Sequence, residues 1–376
     1  MSQDIEIIEV SSPKLLEKFI TLPFKLYAGD PNWVPPLISE RRQFFNRKKN
    51  PFYRAAKTRL FLARRGNNFV GRIATCINFN HIEFHGEQVG FFGFFDSLDD
   101  YDVASKLLKV AMITLKSEGM EKMRGPANFS TNHEIGFLIE GFDSPPVVMM
   151  TYNRPYLPKL AERFGLKKVM DLHAYLITDE TPIAERQHNL VEKIKERYKI
   201  EIRTLDLSRF DEEIDLISRL YNQAWEHNWG FVPMPKEEFE YTGRQLRDIV
   251  DPSLVLIASV DGEPAGFSLA LPDINKVLIG LNGRLFPFGL VRLLWDTRIK
   301  KKIDGIRLVT MGVIPKYQKR GIDSIFYVDT YLRGVSRGYK WAELSWILEN
   351  NVLMNRAAES MGARLYKKYR LVEMPL

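Results

Sequence analysis

The sequence predicts a chain of mixed α and β content that folds into two domains. Its 376 residues exceed the usual size of one hydrophobic core, so two domains of ~150 to 200 residues are expected. Short runs rich in β-formers alternate with segments whose apolar residues recur at helical spacing. Residues 253–271 show a hairpin pattern with a turn at 261–264, and residues 60–77 show a similar unit in the N-terminal half.

The two halves continue in the same way, which indicates an internal duplication. In each half the hairpin is followed by one further strand and then by a helix that ends on a glycine. When Phe94 is aligned with Val313, the two glycines, Gly119 and Gly338, fall in register. The predicted boundaries are 1–178 for the first domain, 179–198 for a connector with a charged helix, 198–376 for the second domain and 273–304 for an insert within it.

The most informative segment, residues 313–323, ends a strand-like run and opens a helix with a basic turn that contains glycine. The free N–H groups and positive charge of such a turn can bind a phosphate. In the first half the alignment places Asp102 opposite Gly321, close to Asp99 and Asp100. Three carboxylates repel a pyrophosphate, so the phosphate site is predicted in the second domain alone.

This turn resembles the coenzyme A loop of the GNAT acyltransferase superfamily, Gln/Arg-x-x-Gly-x-Gly/Ala, with Asp323 where a small residue is usual. The resemblance implies tandem GNAT-like domains, each a mixed, mostly antiparallel sheet flanked by helices and splayed open where the cofactor enters. It implies acyl-CoA, acetyl-CoA or longer, as co-substrate, and a degenerate first domain that supports the second or binds the acceptor. The implied cofactor-binding residues are Met311, Gly312, Val313, Gln318, Lys319, Arg320, Gly321, Ile322 and Asn351.

Asn351 has two interpretations that the sequence leaves open. With Met354 and Gly362 it is similar to the Asn-x-x-Met…Gly arrangement in which a GNAT asparagine contacts the cofactor. Its side chain also suits a plain helix N-cap. The two roles are compatible.

An amine must lose its proton before it can attack a thioester, so a base is expected near the site. Glu343 is the first candidate, because strand alternation puts it on one face with Ser345 and Ile347; a solvated glutamate is the alternative. Many GNAT enzymes use a tyrosine in the following helix as the acid, but residues 352–361 contain none. Tyr366, beyond that helix, is retained as a catalytic candidate.

Two further segments are candidates for the acceptor side of the pocket. Residues 124–136 are dense in small hydrogen-bonding residues, which is typical of a binding loop, although a turn stabilised by Asn and Ser side chains explains them as well. Residues 221–233 combine tryptophans, a histidine and a glutamate where a plain helix end needs only a glycine cap. The candidates are His133 and Glu134 as a second acid–base pair, and Asn132, Trp225, Glu226, His227 and Trp229 for substrate binding.

Composition limits the other classes of function. The net charge of +7 suits an anionic ligand or membrane, but the basic residues are dispersed, which argues against nucleic-acid binding. The six histidines are scattered and the only cysteine, Cys76, lies in an apolar run, so no metal site is expected. We expect a cytoplasmic protein, because no apolar run approaches ~20 residues and a lone cysteine agrees with a reducing compartment. Its oligomeric state is not readable.

The insert 273–304 combines an apolar, aromatic stretch with a basic cluster, as an interfacial segment on anionic lipid would; a packed helical hairpin is the alternative. Together with residues 30–36 and 228–233 it resembles a bacterial double-domain GNAT-like group, some members of which are similar to acyl-CoA-dependent ceramide synthases. The predicted function is acyl transfer from coenzyme A to a primary amine, either a small molecule or a lipid. A non-catalytic acyl-CoA or lipid-binding protein is the alternative.

Overall fold

The structure is a computed structural model that describes residues 4–180, 183, 185–226 and 228–376. The chain divides into two compact units. The first contains the residues up to Leu172, Leu278–Leu293 and Lys367–Leu376, and the second contains His173–Val277 and Leu294–Tyr366. The predicted boundaries 1–178 and 198–376 therefore need correction, because part of the insert and the last ten residues belong to the first unit.

The elements follow the predicted alternation of strands and helices. The first part of the chain contains β1 (Ile5–Glu9), α1 (Pro13–Leu26), α2 (Ile38–Phe44), β2 (Ala56–Arg65), β3 (Asn68–Asn78), α3 (Phe79–His85), β4 (Val89–Ser97), α4 (Tyr101–Ser117), β5 (Lys122–Gly125), β6 (Ala127–Asn128), β7 (Glu134–Ile135), β8 (Phe137–Glu140), α5 (Tyr156–Phe164) and β9 (Lys167–Thr178). The second part contains α6 (Glu185–Tyr198), β10 (Ile200–Thr204), α7 (Phe210–Trp225), α8 (Lys236–Leu246), β11 (Val255–Val260), β12 (Glu263–Pro272), α9 (Asn275–Leu278), α10 (Gly289–Leu294), β13 (Gly305–Val313), α11 (Ile322–Ser336), β14 (Trp341–Leu348), α12 (Val352–Ser360) and β15 (Arg364–Pro375).

The sheet of the first unit has the order β1-β2-β3-β4-β5-β15. Its neighbouring strands are antiparallel except for β4 and β5, which are parallel and connected through α4. The C-terminal part of β15 pairs with β5 from Val372 to Pro375, and Lys368 to Arg370 pair with β8. This pairing is the physical reason why the last ten residues belong to the first unit.

The second unit repeats this plan, with the order β10-β11-β12-β13-β14 and one parallel pair, β13 and β14, connected through α11. The predicted hairpin is β11 and β12, in which Val260 pairs with Glu263. Asp261 and Gly262, at φ +49° and +80°, both lie in the left-handed region that a two-residue hairpin turn requires. The shared order of strands and helices confirms the mixed, mostly antiparallel fold and supports the duplication.

Each unit has hydrophobic cores of its own between its sheet and its helices. In the first unit α4 buries apolar side chains at helical spacing, including Val103, Leu107 and Ala111, in one cluster with Ile73 and Phe92 of the sheet. In the second unit α11 contributes Ile325 and Phe326 to one cluster and Tyr327 to another. Removing such side chains costs about 2 to 5 kcal/mol each.

One buried residue of the first unit gives it a specific acid sensitivity. The His81 side chain in α3 is only 1% exposed, and neither of its ring nitrogens has a hydrogen-bond partner among the described residues. Its ring lies edge-on to Phe91, with the ring centroids 5.0 Å apart. Burial, followed by the nearby charge of His85, lowers the pKa of His81 to about 4.

We expect the free energy of unfolding to fall as the pH drops from about 6.5 to about 4. In that window the unfolded chain binds a proton at His81 that the folded chain does not, which costs on the order of 3 kcal/mol of stability. His81→Phe should reduce this loss, as measured by urea unfolding at neutral and acidic pH. His188→Phe, at an exposed histidine of α6, is the control. Equal acid sensitivity of His81→Phe and the unchanged chain would contradict this prediction.

Candidate active site

The second unit contains a gap between its two parallel strands. Residues Gly305 to Leu308 of β13 pair with Trp341 to Leu344 of β14, and within the described chain the pairing stops there. Both strands nevertheless continue, to Val313 and Leu348. The strands therefore separate at their C-terminal ends, where the resemblance implies the entry of a cofactor.

The predicted phosphate loop lies between the end of β13 and the start of α11. Gly321 is the N-cap of α11 at φ +79°, a conformation that favours glycine, and it has no side chain to cover the N–H groups of the first helical turn. Lys319 also has a positive φ, +63°. The Arg320 guanidinium lies over the rings of Tyr317 and Tyr198, 5.0 and 5.9 Å from their centroids.

Two other residues of this loop, Gln318 and Asp323, differ in their surroundings. The Gln318 amide donates to the Val313 carbonyl oxygen over 3.1 Å, which closes the loop on the end of β13. Asp323 is exposed in the first turn of α11. A carboxylate there interacts favourably with the helix dipole but repels phosphate. The loop thus has free backbone donors and basic side chains, together with one opposing charge.

The corresponding helix start in the first unit is already occupied by a carboxylate. Asp100 is the N-cap of α4, and its Oδ1 accepts hydrogen bonds from the N–H groups of Asp102 and Val103, at 2.9 and 3.4 Å. A hydrogen bond from Arg65, at 2.6 Å, holds the pKa of Asp100 below its usual range. The N-cap positions of α4 and α11 also correct the predicted alignment of the two halves. The counterpart of Gly321 is Asp100 rather than Asp102, because each is the N-cap of its helix.

The gap between the parallel strands of the first unit is filled by its own chain. Strands β4 and β5 pair only from Val89 to Phe91 within the described residues. Beyond that point the Asn128 side chain accepts a hydrogen bond from the N–H of Phe94 at 2.6 Å. A Cβ atom added to Gly93 would lie 1.9 Å from the Ala127 carbonyl oxygen, so β6 rests directly on β4. The first unit therefore has neither the open gap nor the uncapped helix.

Two of the predicted catalytic residues meet in the second unit. Glu343 is fully buried in β14, at the end of the paired part of the two strands. Its Oε2 accepts a hydrogen bond from the Tyr366 hydroxyl and its Oε1 accepts one from the Ser345 hydroxyl. The interpretation of Glu343 as a solvated surface residue is wrong. Tyr366 is half-buried, so its hydroxyl links the buried carboxyl to a more accessible position.

An arginine that the sequence reasoning missed completes this network. Arg307 of β13 is 2% exposed and is the register partner of Glu343. Its Nε donates to the Ser345 hydroxyl at 2.9 Å, and its guanidinium lies 5.0 Å from the ring centre of Trp346. A buried charge is costly unless its donors are satisfied. The Ser345 hydroxyl, which accepts from Arg307 and donates to Glu343, links the two charged groups. The sequence signal that could have identified Arg307 is the presence of a charged residue inside the otherwise apolar run 305–313.

Trp225, the last residue of α7, packs its ring against Gly312 of β13, the strand that the resemblance assigns to the thioester. A Cβ atom on Gly312 would fall 2.2 Å from the Trp225 ring, so glycine is required at that position. Tyr221 and Phe267 pack on the same indole, with ring centroids 5.0 and 5.6 Å away. They form an aromatic wall beside β13. Of the remaining candidates in this segment, Glu226 is exposed, Trp229 is half-buried and His227 lies outside the described residues.

Asn351 begins α12 as predicted for an N-cap. Its side chain accepts a hydrogen bond from the N–H of Met354 at 3.2 Å, which confirms the capping interpretation; the cofactor contact stays a prediction. The Met354 sulfur in turn accepts a hydrogen bond from the Tyr327 hydroxyl at 3.1 Å. Asn355 donates to the Leu348 carbonyl oxygen at 2.9 Å and so ties α12 to the end of β14.

Two curated proteins match almost the whole chain. The chain is 38% identical to protein YghO of Escherichia coli over 370 residues, and this match covers 95% of the chain and 92% of YghO. It is 37% identical over 378 residues to the bacterial ceramide synthase of Caulobacter vibrioides, with 99% and 98% covered. The chain belongs to the family of these two proteins. No family model matches the sequence.

Solved structures identify the fold. The tandem GNAT protein from the clavulanic acid biosynthesis pathway has a TM-score of 0.57 at 11% identity, covering 99% of this chain and 98% of that one. A GCN5-related N-acetyltransferase from Sphaerobacter thermophilus has a TM-score of 0.53 at 12% identity, with 99% and 95% covered. The predicted tandem GNAT fold is confirmed. The relationship to a bacterial ceramide synthase, together with the tandem GNAT fold, shows that the chain is an acyltransferase, as predicted.

The first GNAT unit contains the other predicted acid–base pair. Although burial raises the pKa of Glu134, the Arg41 guanidinium, which donates at 2.5 Å, holds it below its usual range. Asn128 donates to the same carboxylate at 3.0 Å. Burial lowers the pKa of His133 to about 4, and its Nδ1 lies 3.2 Å from the Ser130 hydroxyl. His133 is therefore neutral at pH 7.

The roles of His133, Glu134 and Asn132 in the first GNAT unit stay predictions. The Asn132 N–H donates to the Ser130 hydroxyl at 3.2 Å, which supports the interpretation of this loop as a stabilised turn. The described residues contain no cluster of His, Cys, Asp and Glu that could hold a metal ion. Within the same residues, every helix is too short or too polar to cross a bilayer.

Proposed function

We propose that the second GNAT unit transfers an acyl group from a coenzyme A thioester to a primary amine. The observation that carries this proposal is the pairing of the Glu343 carboxyl with the Tyr366 hydroxyl where β13 and β14 separate. This arrangement provides a buried proton acceptor beside a gap that opens toward an uncapped helix N-terminus. The first unit, whose gap and helix start are filled, would either support the second unit or bind the acceptor.

Coenzyme A would bind through its pyrophosphate at the loop from Gln318 to Ile322. The N–H groups at the start of α11 are donors, and Lys319 and Arg320 add positive charge. The backbone of Met311 to Val313, at the unpaired end of β13, would hold the thioester carbonyl and stabilise the negative charge that develops on its oxygen. Binding and orientation supply most of the acceleration, because they turn an encounter of two molecules into a step within one complex.

Glu343 and Tyr366 would manage the protons of the reaction. An ammonium group gives up one proton, through the Tyr366 hydroxyl, to the Glu343 carboxylate. The neutral amine then attacks the carbonyl carbon, so that a C–N bond forms while the C–S bond breaks. The departing thiolate takes up the proton that the nitrogen loses, and the products are an amide and free coenzyme A. The proton held by Glu343 returns to solvent.

We further propose that the acceptor is a long-chain amine and that the acyl chain is long. This comes from the ceramide synthase relative, since a ceramide is the amide of a fatty acid with a long-chain amine. The aromatic wall of Tyr221, Trp225 and Phe267 is compatible with an apolar chain beside β13. A small amine, amino acid or peptide is the alternative acceptor. We place the reaction in the cytoplasm, where the reduced, buried Cys76 is consistent with the compartment.

The proposal is tested by incubating the full chain with acyl-CoA and an amine and by measuring thiol release and amide formation. We expect turnover with a long-chain acyl-CoA and a long-chain amine to exceed turnover with acetyl-CoA and the same amine by at least about tenfold, since each buried methylene adds to binding. A preference for acetyl-CoA would contradict the lipid acceptor and acyl chain. The exposed Asp323 favours a second candidate, a non-catalytic acyl-CoA-binding protein. Ligand binding without amide formation from any amine would support that candidate and contradict the enzyme.

A further inference from the structure

A short loop of the first unit exposes large apolar side chains to solvent. This segment, residues 284–292, is called the apolar loop, and its last four residues begin α10. The exposed fractions in it are 76% for Phe286, 78% for Phe288 and 66% for Val291. Single exposed apolar residues are ordinary on protein surfaces, but three so close in sequence, two of them aromatic, are not. Leu290 in the same loop is 39% exposed. These side chains form a patch that water contacts unfavourably.

The base of the apolar loop is anchored in the first unit. Gly283, at φ +70°, packs so closely that a Cβ atom there would lie 2.5 Å from the Phe24 ring and 2.7 Å from the Pro36 carbonyl oxygen. The N–H of Ile38 donates to the Gly283 carbonyl oxygen at 3.0 Å. The Phe24 ring is itself held edge-on by Trp33, with centroids 5.2 Å apart. The aromatic side chains are therefore presented from a fixed support.

The loop also has defined internal contacts. The N–H of Leu290 donates to the Leu285 carbonyl oxygen at 2.6 Å, and the N–H of Arg292 donates to the Phe288 carbonyl oxygen at 3.0 Å. The Arg292 side chain donates to the Gly280 carbonyl oxygen at 2.8 Å. These bonds hold the turn that separates the two phenylalanines. The exposure of the phenyl rings is thus a property of an ordered loop.

The sequence of the apolar loop and of the residues that follow it is strongly basic. Between residues 284 and 302 the sequence contains six basic residues and one acidic residue, Asp296. Asp296 is buried and forms an ion pair with Lys302 at 3.0 Å. Its charge is therefore balanced by Lys302 and does not offset the other five basic residues. Lys300 and Lys301 are exposed. Apolar side chains flanked by cations are the combination that binds the interface of an anionic membrane.

We propose that the apolar loop docks the protein on an anionic lipid bilayer, with Phe286 and Phe288 entering the interface between headgroups and acyl chains. The excess of arginine and lysine in the loop and in the sequence that follows it is complementary to anionic headgroups. The same excess disfavours the docking of two copies through this loop, because like charges would face each other. The inference is independent of the acyl transfer, since lipid binding requires no turnover.

The experiment measures co-sedimentation of the full chain with vesicles. Vesicles of phosphatidylcholine mixed with phosphatidylglycerol should bind the protein, and vesicles of phosphatidylcholine alone should bind it at least about tenfold more weakly. Phe286→Ser/Phe288→Ser should weaken binding to the mixed vesicles by about tenfold or more. Lys300→Gln/Lys301→Gln should also weaken binding to the mixed vesicles at low salt, and added salt should weaken its binding less than that of the unchanged chain, because fewer charges remain to be screened. Phe79→Ser, at a 51% exposed phenylalanine of the same unit, should bind as the unchanged chain does.

Three outcomes would overturn the proposal. Equal vesicle binding by the unchanged chain and by Phe286→Ser/Phe288→Ser would exclude the loop as the membrane contact. The thermal unfolding midpoints of the two proteins are compared to confirm that both are folded. Equal binding to both kinds of vesicle would exclude recognition of anionic lipid. Self-association that Phe286→Ser/Phe288→Ser abolishes, without vesicle binding, would assign the loop to a contact between copies of this chain.

Discussion

Replacing Glu343 by glutamine lowers kcat/KM by about 10²- to 10⁴-fold and leaves acyl-CoA binding unchanged, because glutamine keeps the shape of the side chain but cannot accept a proton. The carboxyl is fully buried and accepts hydrogen bonds from two hydroxyl groups, so the amide can still be accommodated. The measurement is amide formation under initial-rate conditions, together with a thermal-shift titration with acyl-CoA. The pH dependence of kcat/KM should lose the ionisation that belongs to the base.

Tyr366→Phe should produce a loss of similar size, because it removes the hydroxyl that joins Glu343 to the more accessible side of the site. If the two groups act as one relay, the double variant loses no more activity than the larger single loss. Tyr331→Phe, at another tyrosine of the second unit, is the matched control and should keep full activity. A fully active Glu343→Gln would rule out the relay. Additive losses would assign separate roles to the two residues.

Gly321→Glu abolishes measurable acyl-CoA binding, with a loss of at least about 100-fold in affinity, or about 3 kcal/mol. The new carboxylate would stand at the N-terminus of α11, where the phosphates are expected, and repulsion between charges about 4 Å apart is worth several kcal/mol near a protein surface. The measurement is isothermal titration with acetyl-CoA and with a long-chain acyl-CoA. Unchanged binding would remove the second unit's loop as the cofactor site.

The control for this variant must separate charge from strain. Gly321 has a φ of +79°, and a Cβ atom there would lie 2.9 Å from the Ile194 side chain, so any substitution strains the turn. Gly321→Gln has the same size without the charge, and the difference in affinity between the two variants isolates the electrostatic effect. Asp323→Asn should act in the opposite direction and tighten binding by about 3- to 10-fold, because it removes a negative charge from the same helix turn. Weaker binding by Asp323→Asn would show that the carboxylate serves the site.

The features that the sequence predicted well depend on local signals. The hairpin of β11 and β12 is marked by its turn at Asp261 and Gly262. The duplication was visible because strands and helices recur in the same order in both halves. Glu343 and Ser345 were also correctly placed on one face of a strand, because alternation within a strand requires no knowledge of the neighbouring strands.

What the sequence could not predict depends on pairing between distant segments. Tyr366 meets Glu343, 23 residues earlier, only because of where β15 begins relative to β14. Arg307 joins them through the parallel register of β13, which no local pattern specifies. The alignment of the two helix starts was wrong by two residues at Asp102, because it was set by the glycines at the helix ends. The assignment of residues 367–376 to the second domain failed for a similar reason, since pairing with β5 and β8 places them in the first unit.

The pairing of residues 367–376 with β5 and β8 also affects the order in which the units can form. A ribosome makes these residues after the entire second unit, so the first unit emerges early but lacks one strand of its sheet until then. Until the C-terminal segment arrives, β5 keeps an open edge, and such edges are prone to pair with other chains. During synthesis the second unit can therefore be completed before the first, whose β5 edge stays open until the last strand is made.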